Sequence, residues 1–107
     1  MDFEKSTVFD LAASVPFAEN ATVSKMVIKS QTGNITLFAF DAGQGLSEHS
    51  APFDAFVQVI EGKGRIIINK IPHDLKTGEF ILMPANIPHA VQALEKFKMM
   101  LVMIRGN

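Results

Sequence analysis

The sequence predicts an all-β domain built as an antiparallel sandwich or barrel. Three observations carry the prediction. About eight short runs of branched and aromatic residues recur at regular spacing. Gly, Pro, Asn and Asp fall between the runs rather than inside them. The one helical signal, Val8-Phe9 to Leu11-Ala12, is weak and is ended by Pro16, so no helix is available to cross between parallel strands.

Residues 1–21 form a short N-terminal extension, and residues 22–107 the barrel domain. Val23 and Met26 to Ile28 make the first strand, and Gln31-Thr32-Gly33-Asn34 the turn after it. Ile35 to Phe40 is a strand apolar on both faces. Asp41 to Gly45 is a glycine-rich turn. Phe56 to Ile60 is a strand that Glu61-Gly62-Lys63-Gly64 closes. Arg65 to Ile68 and Ile71 flank Asn69-Lys70, the signature of a two-residue hairpin. Lys76-Thr77-Gly78 turns into Phe80 to Met83, and Pro84 and Pro88 bracket a stiff loop. Val91 and Phe97 to Ile104 supply the last strands.

At 107 residues the chain is one domain, and 48% apolar against 20% charged residues is the composition of a packed globule. A net charge of -1 leaves no basic field to hold a phosphate backbone, so no nucleic-acid partner is expected. The absence of cysteine removes thiol nucleophiles, zinc knuckles and iron–sulfur clusters, and fits a reducing, cytoplasmic location. Neither a secretory signal nor a membrane span is expected: the longest apolar runs, Met99 to Ile104 and Phe80 to Met83, fall far short of the ~20 residues that cross a bilayer. Nine Phe and six Met, with no Tyr or Trp, are more apolar surface than one small core absorbs. A covered outer face is therefore expected, most simply a homodimer.

Two of the three histidines sit in spaced motifs. Gly43 is followed after five residues by His49, Ser50 and Ala51, then after three by Ala55 and after six by Gly62. Gly78 is followed after five residues by Pro84, Ala85 and Asn86, then after two by His89 and after three by Ala93. His73 stands outside both motifs and reads as a surface residue.

These spacings resemble the two motifs of the cupin superfamily over about residues 22–104. The resemblance implies a double-stranded β-helix, or jelly-roll, barrel. In metal-binding cupins three His and one Glu hold the ion, and those positions fall here on His49, Ala51, Ala55 and His89. Half of the ligand set is alanine. Two imidazoles leave a divalent transition metal (Zn, Ni, Cu, Fe or Mn) weakly held.

Strand alternation tests whether a neighbour replaces the lost ligands. With both histidines facing inward, the expected wall is Ser47, His49, Ala51, Ala55, Val57, Val59, His89, Val91 and Ala93, with no carboxylate of the right parity. Asp54, expected in a turn where alternation breaks, is the one substitute ligand. Three readings of the pair stand side by side: relic imidazoles, metal ligands, and metal-free contacts to a ligand. The expectation is a single-domain cupin binding a small organic molecule in an apolar pocket, with a metal at the two histidines. The alternatives are a metal-dependent dioxygenase- or isomerase-like enzyme and a non-catalytic assembly protein. No Ser–His–acid array, phosphate loop or HExxH helix is present in the sequence.

Overall fold

The computed structural model describes residues 3–105, so the ends of the expected extension (1–2) and barrel segment (106–107) lie outside the described residues. A 3₁₀ turn at Ala12–Ser14 precedes eight strands: β1 (Thr22–Ser30), β2 (Gly33–Phe40), β3 (Gly45–His49), β4 (Phe53–Ile68), β5 (Ile71–Lys76), β6 (Phe80–Met83), β7 (His89–Gln92) and β8 (Phe97–Arg105). All pairings are antiparallel. β1, β2, β8, the first half of β4 and β6 form one sheet; β3, β7, the second half of β4 and β5 form the other. The result is the curled jelly-roll barrel that the motifs imply.

β4 joins the two sheets, and here the structure corrects the sequence reading. Glu61-Gly62-Lys63-Gly64 is not a turn between strands but a bend within one 16-residue strand. β8 follows β4 as far as Gly62, and β5 takes over from Lys63. A register break between Val59 and Glu61 and a left-handed Gly62 (φ 82°) turn the chain from one sheet to the other without ending the ladder. The hairpin at Asn69-Lys70 is as predicted: both residues have positive φ (51° and 71°), which suits the twist of two-residue hairpins. β3 (Gly-Leu-Ser-Glu-His) has no β-branched residue, so it carries no strand signal of its own and is legible only through its pairing with β7.

The core lies between the sheets. Val57, Val59, Phe40, Phe97 and Ile66 are fully buried, and the Phe40 and Phe97 rings stack at 4.9 Å. A second cluster sits on the outer face of the first sheet, where Val15 and Phe17 of the N-terminal segment pack on Leu37, Ala39 and Met100. The expected helical patch reduces to the single 3₁₀ turn, with Val8 exposed, because the segment is held by this packing rather than by helix propensity. Lys98 is buried despite its charge. Its Nζ donates to the Ala12 carbonyl at 2.6 Å, stands 3.7 Å from Glu61 and lies over the Phe17 ring. Among the described residues no helix is long and apolar enough to cross a membrane.

Candidate functional site

The two motif histidines come together at one end of the barrel. His49 ends β3, His89 begins β7, and the two are register partners. The rings meet edge to face at 67°, with centroids 4.4 Å apart and Nε2 atoms 3.2 Å apart. His49 Nδ1 lies 2.9 Å from the Ser47 carbonyl oxygen, and His89 Nδ1 3.2 Å from that of Ile87. A carbonyl oxygen only accepts, so each Nδ1 carries its ring's proton. Both Nε2 atoms then present lone pairs to the same point. Burial holds the His89 pKa below its usual 6.5; the Ile87 carbonyl opposes that shift, and the neighbouring His49 charge adds to it.

The local sequence explains this placement. Pro84 and Pro88 stiffen the loop that delivers His89. Between them Asn86 adopts φ 65°, a conformation Asn tolerates, and its amide donates to the Ala51 carbonyl, tying the loop to the end of β3.

Below the rings lies a narrow apolar cavity of about 40 Å³. His49, Ala51, Ala55, His89 and Val91 line it, as expected. Ser47, Val57, Val59 and Ala93 do not, and these placements are corrected. Ser47 fails because of a bulge: Leu46 pairs with Val91 and His49 with His89, so three steps along β3 match two along β7. Alternation breaks, Leu46 takes the wall, and Ser47 borders an open depression on the outer side of the sheet. Val57, Val59 and Ala93 do face inward, but they sit in the packed core. Asp54 is not in a turn. It lies in β4 facing outward, with its carboxylate accepting from the Ala85 amide at 2.9 Å. His73, half-buried in β5, borders a different surface depression.

Leu46, Phe53, Met83, Met99, Leu101 and Met103 complete the wall. Their place beside the histidines depends on which strands flank Ala55, and that is a tertiary fact.

Comparison with known proteins settles the family. Residues 36–105 match the cupin domain family model. The chain belongs to the cupin family. This cupin is similar along its whole length to a conserved protein of unknown function from Streptococcus pyogenes (34% identity, TM-score 0.93, 100% of this chain and 94% of that one). It also resembles a cupin 2 conserved barrel domain protein from Leptotrichia buccalis (39% identity, TM-score 0.88), covering 91% of this chain and 47% of that one. Among curated proteins it is 35% identical over 60 residues to the HTH-type transcriptional activator RhaS of Mannheimia succiniciproducens. That match takes in 56% of this chain and 22% of the activator, so the cupin spans about a fifth of that relative's length.

Cupins commonly bind transition metals, and part of the donor set here suits that chemistry. Two nitrogens each ~2.0–2.1 Å from a tetrahedral ion stand ~3.3 Å apart, close to the 3.2 Å between the Nε2 atoms. The carbonyl bonds at both Nδ1 atoms are the outer contacts that orient metal-binding imidazoles. The rest of the set does not fit a hard divalent ion. Ala51 and Ala55 carry no donor, and among the described residues no group of three His, Cys, Asp or Glu is placed to hold a metal. A many-coordinate iron or manganese site with a carboxylate ligand is not assembled by these residues.

Proposed function

We propose that this cupin is a binding module whose ligand, only a few atoms in size, docks on the Nε2 edges of His49 and His89. The observation that carries the reading is the convergence of two imidazole lone pairs over an apolar cavity that no carboxylate lines. Two lone pairs at 3.2 Å repel unless a proton, a donor or a cation lies between them. A cavity of about 40 Å³ admits one or two water-sized groups, against the ~300–1,000 Å³ of sites for larger organic ligands. A larger organic ligand enters only if Met83, Met99 and Met103 swing aside, which their unbranched side chains permit. Turnover is the weaker reading, because the pocket holds no carboxylate to act as general acid or base. The partial likeness to a transcriptional activator supports a recognition role over a catalytic one.

The test is calorimetric melting of untagged protein with zinc chloride, nickel chloride, anaerobic Cu(I) and sodium acetate. Binding to the native state raises stability by about 2.7 kcal/mol at a hundredfold excess over Kd. At least one probe should raise the Tm by several degrees in the wild type and not in His49→Ala or His89→Ala. Equal responses in all three proteins to every probe sink the reading.

The assembly reading also has an observation behind it. Phe80, Leu82 and Ile104 stay 58–64% exposed on the outer face of the sheet that the N-terminal segment partly covers. A second copy of the chain on that face is compatible with ligand binding inside the barrel.

A further inference from the structure

Of the two ligand positions held by alanine, Ala55 is flanked by methionines. Ala55 in β4 pairs with Met83 of β6 on one side and with Met103 of β8 on the other. Directly opposed residues place their Cβ atoms ~4.5–5.5 Å apart, and all three face the cavity that His49 and His89 roof. The small Ala55 side chain stands between two methionines that line the same cavity. Two histidines and two methionines thus line one cavity of about 40 Å³, with no carboxylate residue in its wall.

We infer that this is a site for a soft monovalent cation, Cu(I), with His49 Nε2, His89 Nε2 and the thioethers of Met83 and Met103 as donors. The inference rests on the imidazole-pair reading and names its ligand. Three physical arguments carry it. Thioethers are soft donors that select Cu(I), and imidazole suits copper as well. Every donor is neutral, and the cost of burying an ion rises with the square of its charge. A divalent ion here would therefore pay about four times the desolvation of a monovalent one, with no carboxylate to offset it. The cavity has room for an ion and at most one further water-sized group.

The experiment uses untagged, full-length protein under anaerobic, reducing conditions. It is titrated with Cu(I) against the chelator bicinchoninate, and separately with Zn(II). X-ray absorption is then recorded on copper-loaded protein grown with selenomethionine. The expected result is one Cu(I) per chain, nitrogen and selenium scatterers at copper, and at least a tenfold loss of Cu(I) affinity in the Met83→Leu/Met103→Leu variant. Those replacements nearly conserve volume; the selenium measurement needs no substitution and so decides the matter if the variant misfolds. Nitrogen-only coordination, or unchanged Cu(I) affinity in the Met-to-Leu variant, overturns the thioether inference. If His49→Ala still abolishes metal binding in that case, the imidazole-pair reading stands. If wild type binds neither ion and acetate stabilisation is indifferent to His49, both fall.

Discussion

Gly64 is glycine because Phe97 occupies the place of its side chain. A Cβ built there would fall on the ring carbons of Phe97. That ring is fully buried and stacked on Phe40, so it has nowhere to move. Gly64→Ala should therefore destabilise the fold by ~1–3 kcal/mol, as overpacking a full core does. Denaturant unfolding measures this, and a change below ~0.5 kcal/mol, the scale of ordinary surface substitutions, would contradict the packing. The sequence shows two glycines in a row of turn-like residues and nothing of the ring. Gly62 is there for its positive φ and Gly64 for its smallness, two different reasons that one-letter spacing cannot separate. The histidines show the converse. The resemblance of the motif spacings to those of cupins was enough to predict that His49 and His89 share one site, and the β3–β7 register pairs them.

At the level of elements, the departures from expectation come from broken alternation. The bulge in β3 exchanges Leu46 for Ser47 on the cavity wall, and the bend in β4 carries one strand through two sheets. A separate device ties the N-terminal segment to the end of β2. The Asn20 and Ala42 amides donate to the two oxygens of Asp41 at 2.7 and 2.9 Å, and the Asp41 amide donates to the Ala21 carbonyl. The Asn20 bond first, then the Ala42 bond, holds the Asp41 carboxyl below its usual 3.8. On acidification the unfolded chain takes up that proton before the folded one does. The stabilisation is thus present in full above about pH 4 and is lost as pH falls through the folded value. Melting temperatures of wild type and Asp41→Asn between pH 6 and 2 should converge in acid. Parallel curves over that range would show that the carboxylate is idle.

For the whole molecule the open matter is the outer face of the larger sheet. Val15 and Phe17 cover its β1–β2–β8 side. Phe80 stacks on Phe56 at 4.7 Å, and Phe56, Leu82 and Ile104 border a shallow apolar depression of about 440 Å³ on the uncovered side. Apolar patches of this kind mark interaction surfaces. The wild-type protein should sediment as a dimer, and Leu82→Glu/Ile104→Glu as a monomer with an unchanged far-UV spectrum. A monomeric wild type at tens of micromolar would refute the second-copy assignment. Nine Phe and six Met signalled surplus apolar surface. Composition could not apportion it among the N-terminal cover, the outer patch and the methionine-lined cavity.

What the sequence determined by itself was the strand content and the Asn69-Lys70 hairpin, which depend on local φ/ψ preference, and, through the resemblance of its motif spacings to cupins, the barrel family and the expectation that His49 meets His89. Tertiary structure decided which side chains share the site: Leu46 rather than Ser47, Met83 and Met103 around Ala55, and Asp54 turned outward to the Ala85 amide. Those outcomes depend on which strand lies beside which and where a bulge shifts the register. Contacts between residues far apart in the chain set both, and no local pattern records them.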